Sequence, residues 1–167
     1  DADSTVTSLS VANITPVAIE SGSILSGAIT VTNNGSIKLA ETGTLASSIS
    51  MSSGTLDADN SLTVSGTLTQ SGAITIDVLA DKTLTYTGTA IGLGANTLTL
   101  SGGGSLVSGG LTLNDASSKL LLNSITVDSV STSVDNSLGL DVDADSTVTS
   151  LSVANITPVA IESGSIL

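Results

Sequence analysis

A parallel β-solenoid is the fold this chain predicts: an all-β coil of short strands separated by glycine corners, continuous across repeats. Three observations carry that expectation. The opening segment, 1–25, returns letter for letter at 143–167. Residues 1–142 therefore read as one full repeat of a tandem array, and 143–167 as the start of the next. Short aliphatic segments alternate with period two throughout. The composition is 40% hydrophobic but 1% aromatic, with no Phe or Trp and a single Tyr. Burial is left to Leu, Ile, Val and Ala, which suits narrow aliphatic ladders better than a thick globular core.

Along the chain, a Gly followed by Ser, Thr or Ala and then Ile or Leu recurs at Gly22, Gly27, Gly35, Gly43, Gly54, Gly66, Gly72 and Gly104. Glycine supplies the backbone freedom of a tight corner, and the aliphatic residue two places on starts a strand. The expected strands lie at 29–31, 37–39, 62–64, 74–76, 84–86, 98–100, 111–113 and 125–127. Each has an apolar outer pair facing one way and Thr or Lys facing the other. Runs this short do not make helices. The mean hydropathy of +0.47 separates the chain from disordered Ser/Thr-rich sequences.

A weaker repeat lies inside the period. SGAIT at 26–30 recurs at 71–75, and Leu39 with TGT at 42–44 matches Leu84 with TGT at 87–89, all at an offset of 45. That offset reads as two coils of about 22 residues, giving about six to seven rungs per period and a repeat roughly 30 Å long at about 4.8 Å per rung. Tandem β-sandwich domains are the alternative, but they normally centre on a ring-rich core. A membrane β-barrel needs aromatic girdles that this sequence lacks.

Residues 95–102 (ANTLTLSG), followed by 103–106 (GGSL) and 110–113 (GLTL), resemble the Gly, Asn and Thr-Leu-Thr-Leu repeats of bacterial autotransporter passengers and filamentous-haemagglutinin-like surface proteins. The resemblance implies a parallel β-helix extending from a cell. It is concentrated in about 94–113 and brings no site residues with it. The chain departs from those passengers in its scarcity of aromatics, its lack of Arg and its long identical period. These departures favour a structural array over a passenger with a distinct active domain.

Three lysines stand against 15 acids, and within 1–142 against 12, about −9 per period. An array would be a strongly acidic rod. Without cationic surface to neutralise phosphates, nucleic acid is excluded as a partner, and anionic membrane surfaces are disfavoured. No apolar stretch is long enough to span a bilayer, so no membrane insertion is expected. With no Cys, disulfides are not a source of stability and the redox compartment stays open. The expected partner is self, adjacent repeats or subunits meeting end to end, with cell-surface contacts beyond that.

The absence of His and Cys removes the usual nucleophile and base pairings. Lys38, Lys82 and Lys119 read as solvated. The carboxylate pairs Asp57 with Asp59 and Asp77 with Asp81 are the remaining acid–base candidates, but the aromatic platforms and cations that hold sugars are nearly absent, so no enzyme activity and no catalytic residue are expected. The candidate metal site is Asp141, Asp143 and Asp145. On a strand these carboxylates would line one side about 7 Å apart, with Val142 and Ala144 inward, and suit calcium. Where a calcium loop of this kind needs Gly stands Ser146, and where it needs Glu stands Ser152. No other cofactor is expected. DNSL at 59–62 recurs at 135–138, and two sequons begin at Asn13 and Asn34, the second equally a turn.

The functional expectation is a structural repeat of an extracellular filament, stalk or sheath that extends by end-to-end stacking of β-coils. A stalk segment of a cell-surface adhesin and a surface-layer lattice protein are the alternatives.

Overall fold

The computed structural model describes residues 5–13, 16–20, 24–25, 27–40, 43–143 and 145–166. The chain climbs coil by coil. The first coil is β1 (Thr5–Val6), β2 (Leu9–Ala12) and β3 (Val17–Ile19); the second is β4 (Ile24–Leu25), β5 (Ile29–Thr32) and β6 (Ser36–Leu39). There follow β7 (Gly43–Leu45), β8 (Ile49–Met51), β9 (Gly54–Ala58), then β10 (Leu62–Val64), β11 (Leu68–Gln70), β12 (Ile74–Val78). The fifth and sixth coils are β13 (Thr83–Tyr86), β14 (Ile91–Gly92), β15 (Thr97–Ser101) and β16 (Ser105–Val107), β17 (Leu111–Leu113), β18 (Lys119–Leu122). In the last two coils the first two strands fuse, giving β19 (Thr126–Thr132), β20 (Gly139–Val142), β21 (Thr147–Ser152) and β22 (Val159–Ile161).

These strands stack into three faces of a parallel β-solenoid, and the described residues contain no helix. The third face is one eight-stranded sheet in the order β3, β6, β9, β12, β15, β18, β20, β22. On the first face β1 pairs β4, and β7, β10, β13, β16, β19 and β21 form a continuous ladder. The second face runs β2, β5, β8, β11, and resumes with β14 and β17 on the C-terminal halves of β19 and β21. All eight strand positions expected from the alternation are occupied by strands, with Ile125 buried just ahead of β19.

Seven steps lead from β3 to β22, and β22 repeats the residues of β3, so one period, spanning 1–142, is seven coils. The average coil is about 20 residues, a common rung size for such solenoids. The offset of 45 is therefore not two coils. Ile29 lies on the second face in β5 and Ile74 on the third in β12, while Leu39 is in β6 on the third face and Leu84 in β13 on the first. The recurring pentapeptide encodes a corner and the strand after it, which each of the faces requires in the same way.

Alternation places the aliphatic residues inward. On the third face Ile37, Leu56, Ile76, Leu100, Leu122 and Val142 stack in register and are all buried. Followed from end to end, this row begins at Val17 and finishes at Ile161, the copy of Ile19. The two-residue slip leaves every side chain on its own side of the sheet.

Many corner glycines serve close approach rather than unusual dihedrals. A Cβ on Gly66 would lie 2.1 Å from the Ser47 carbonyl oxygen, and one on Gly72 2.1 Å from that of Ser52, in each case backbone of the preceding coil. Gly72→Ala is expected to lower stability by about 1–3 kcal/mol through overpacking; urea unfolding checks it, and an unchanged midpoint would contradict the contact.

The lone aromatic side chain fills the break in the second face. Tyr86 is buried, and its hydroxyl accepts a hydrogen bond from Leu68 N at 3.2 Å where β11 lacks an upper neighbour. Beside it Gly88 leaves room for the ring, since a Cβ there would sit 2.2 Å from the Tyr86 hydroxyl oxygen. Gln70 Nε2 crosses the same gap to Leu93 O at 3.0 Å.

Candidate functional site

The two ends of the coil carry the same sequence in opposite surroundings. Val11 is 4% exposed and Ile19 5%, because the second coil covers them; their copies Val153 and Ile161 are 44% and 50% exposed at the open end. At the lower side the contrast reverses, with Val6 at 40% and its copy Val148 at 1%. The register is also copied: Thr5 pairs Ile24, and Thr147 pairs Ile166. Each copy of the coil thus has one side covered and one bare, and together they show both sides covered.

Among the described residues, charge is concentrated on one flank. The third-face strands hold Lys38, Asp57, Asp77, Lys119 and Asp141, whereas the strands of the other two faces hold one charged residue, Asp128. The other described acids lie on the corner after the third face (Glu20, Asp59, Asp81, Asp143, Asp145, Glu162) or the corner before it (Asp115, Asp135).

Within this flank the fold assembles an ion cluster from residues far apart in sequence. Lys38, Asp57 and Asp77 stand in register on successive rungs, and Lys38 makes an ion pair with Asp59. Burial pushes Asp57 above its ordinary value of 3.8, with Asp59 adding to the rise and Lys38 opposing it; the hydrogen bond to Asp59 raises Lys38. The folded state therefore holds the Asp57 proton more tightly than the unfolded chain. That contribution to stability is fully present below pH 3.8 and is lost as pH rises through the raised value. Asp57→Asn is expected to be more stable than the parent at pH 7 by up to about 1 kcal/mol, since like charges directly opposite on neighbouring strands repel. It should also flatten stability against pH in the window just above 3.8. Urea titrations across that window check it, and an unaltered profile would contradict the assignment.

The carboxylates singled out as a calcium candidate are not lined up on a strand. Asp141 faces outward on β20, but the strand ends at Val142, which is buried as expected. The chain then turns: Ser146 N donates to Asp143 O at 3.3 Å, and Asp145 is left-handed at φ 64°. Ala144 lies outside the described residues, as do Gly22, Thr42 and the sequon threonine Thr15. Among the described residues, no three carboxylates stand close enough to share a cation. Of the acid–base candidates, Asp57 and Asp59 are together, while Asp77 joins Asp57 and Asp81 sits at a corner with φ 63°.

Side chains that rivet coil to coil were not evident from composition. Asn136 is buried at a corner; its Nδ2 donates to Asp115 O at 2.7 Å and Ser118 O at 2.8 Å, and its Oδ1 accepts from Leu138 N at 2.9 Å and from Gly139 N. Asn60 donates to Ala40 O at 2.6 Å at a different corner, the one after the third face. The recurrence of DNSL at 59–62 and 135–138 was the available signal. Asp128 Oδ2 accepts from Ser108 N and Gly109 N, each at 3.1 Å, which ties it to the coil below.

The second face presents an outward row in two runs: Ser10, Thr30, Ser50 and Thr69, then, beyond the break, Gly92, Thr112, Ser131 and Ser152. The Gln70 bond to Leu93 bridges the break between the two runs. The row ends on Ser152, the copy of Ser10, so it closes on itself after one period. Positions two residues to either side hold only Ser, Thr, Ala, Gly and Asn114. On the third face a shallow groove of about 250 Å³ is lined by Asn34, Thr55, Thr75 and Thr99, among others, with hydroxyls and an amide but no titratable group.

Comparison with known proteins returns no match: no family model, no curated protein and no solved structure.

Proposed function

We propose that this chain is a structural repeat of an extracellular filament, stalk or sheath that lengthens by end-to-end stacking of β-coils. The observation that carries the reading is the exposure contrast between identical segments. Val153 and Ile161 are bare where Val11 and Ile19 lie under a coil, so the next repeat would cover on the second copy what the second coil covers on the first. Each junction then buries the same aliphatic rows, and stability grows by nearest-neighbour interfaces.

Stacking also covers the edges that isolated parallel ladders leave open. Acidic flanks, about −9 per period, would keep such rods soluble and discourage random lateral aggregation. The extracellular setting is supported by the resemblance of residues 95–113 to repeats of autotransporter and filamentous-haemagglutinin-like proteins. Electron microscopy of purified native material tests the reading. Threads of variable length are expected; discrete particles that never elongate would contradict it, and flat lattices would move the reading to a surface layer.

A further inference from the structure

The hydroxyl-covered second face is an unpartnered sheet face, and we infer that its occupant is the same face of a second copy, pairing filaments side by side. This inference rests on the stacking reading and extends it to the filament's lateral partner. Charge sets the orientation. The first- and second-face strands carry only Asp128, and the remaining described charges sit on the third face and its two corners. Two rods can therefore meet second face to second face with the acids of the third face and of the corner after it turned outward and only Asp115 and Asp135 bordering the contact, whereas a contact through third faces would oppose Asp57, Asp77 and Asp141.

Chemistry makes the face self-complementary. A hydroxyl both donates and accepts, so Ser and Thr rows satisfy one another without an oppositely charged partner. Thr112 and Ser131 already do this within the row, oxygen to oxygen at 3.2 Å. Side chains this small across the five-residue width of the face let two such faces close to zipper distance. Period selects the partner. The row returns to its own copy, from Ser10 to Ser152, one period on, so a second copy stays in register over any length, while a partner of another repeat loses register along the rod.

Area sets the length at which pairing holds. Five strand residues by seven rungs is about 16 Å by about 34 Å, or roughly 500 Å² per partner per period. A stable interface uses about 800 Å² per partner, so about two stacked periods are required, and pairing follows elongation rather than preceding it.

The test is mass per unit length of the assembled protein by scanning transmission electron microscopy. It compares the parent with Ser50→Glu/Thr112→Glu on the second face and with Thr63→Glu/Thr85→Glu on the first, each checked for unchanged circular dichroism. The parent and the first-face variant are expected at twice the value of the second-face variant. Parent threads at the single-rod value would overturn pairing and leave stacking intact. A second-face variant that stays doubled would overturn the assigned face. Particles that do not elongate would overturn the stacking reading and the pairing that depends on it.

Discussion

Ile19→Ala is expected to destabilise the isolated chain by about 2–5 kcal/mol, the usual range for deleting a buried aliphatic side chain, while Ile161→Ala costs less than about 1 kcal/mol. The two residues occupy the same place in identical segments, and differ in that one is 5% and the other 50% exposed. Neighbouring sequence, local propensity and corner chemistry are therefore matched, and the two sites differ in which side is stacked, the following coil for Ile19 and the preceding coil for Ile161. In assembled filaments the gap between the variants should close, because Ile161 gains a covering coil. Urea unfolding of the isolated chain and thermal unfolding of filaments measure the two limits. Equal costs in the isolated chain would mean that the covering coil contributes little, and would remove the energetic basis for stacking.

Asn136→Ala should be the most damaging polar substitution, at about 3 kcal/mol or more. The amide satisfies two carbonyls, of Asp115 and Ser118, and two backbone N–H groups, of Leu138 and Gly139, at a corner where it is 5% exposed. Each buried group left without a partner costs about 1–3 kcal/mol. Asn136→Asp tests the geometry more finely, since a carboxylate keeps the acceptor for the two N–H groups but faces both carbonyls without a donor. It should remain well below the parent in a urea titration at neutral pH. Full stability of either variant would show that the corner is held by backbone bonds alone.

The strands were legible because the alternation of an aliphatic-Thr-aliphatic triplet such as 98–100 depends only on local backbone geometry, and the ladders preserve it. The number of coils in a period was less so. Coil length varies with corner length, as the shift of SGAIT from the second face to the third shows, and corners obey no strict period. The acidic run at 141–145 reads as a straight strand because its alternation continues β20; the turn that breaks it is set by the Ser146 to Asp143 hydrogen bond and the left-handed Asp145. Lys38, Asp57 and Asp77 are a product of register between coils, which no local pattern encodes. The corner role of Asn136 lay in the DNSL recurrence, but only stacking identifies which carbonyls it meets.

Fibre diffraction from aligned filaments tests the account most directly. Strands that run across the axis and stack along it predict a sharp meridional reflection at about 4.8 Å, indexing as the seventh order of an axial period of about 34 Å. A 4.8 Å reflection on the equator, or its absence from beaded threads, would contradict the stacked solenoid as the building principle of the filament.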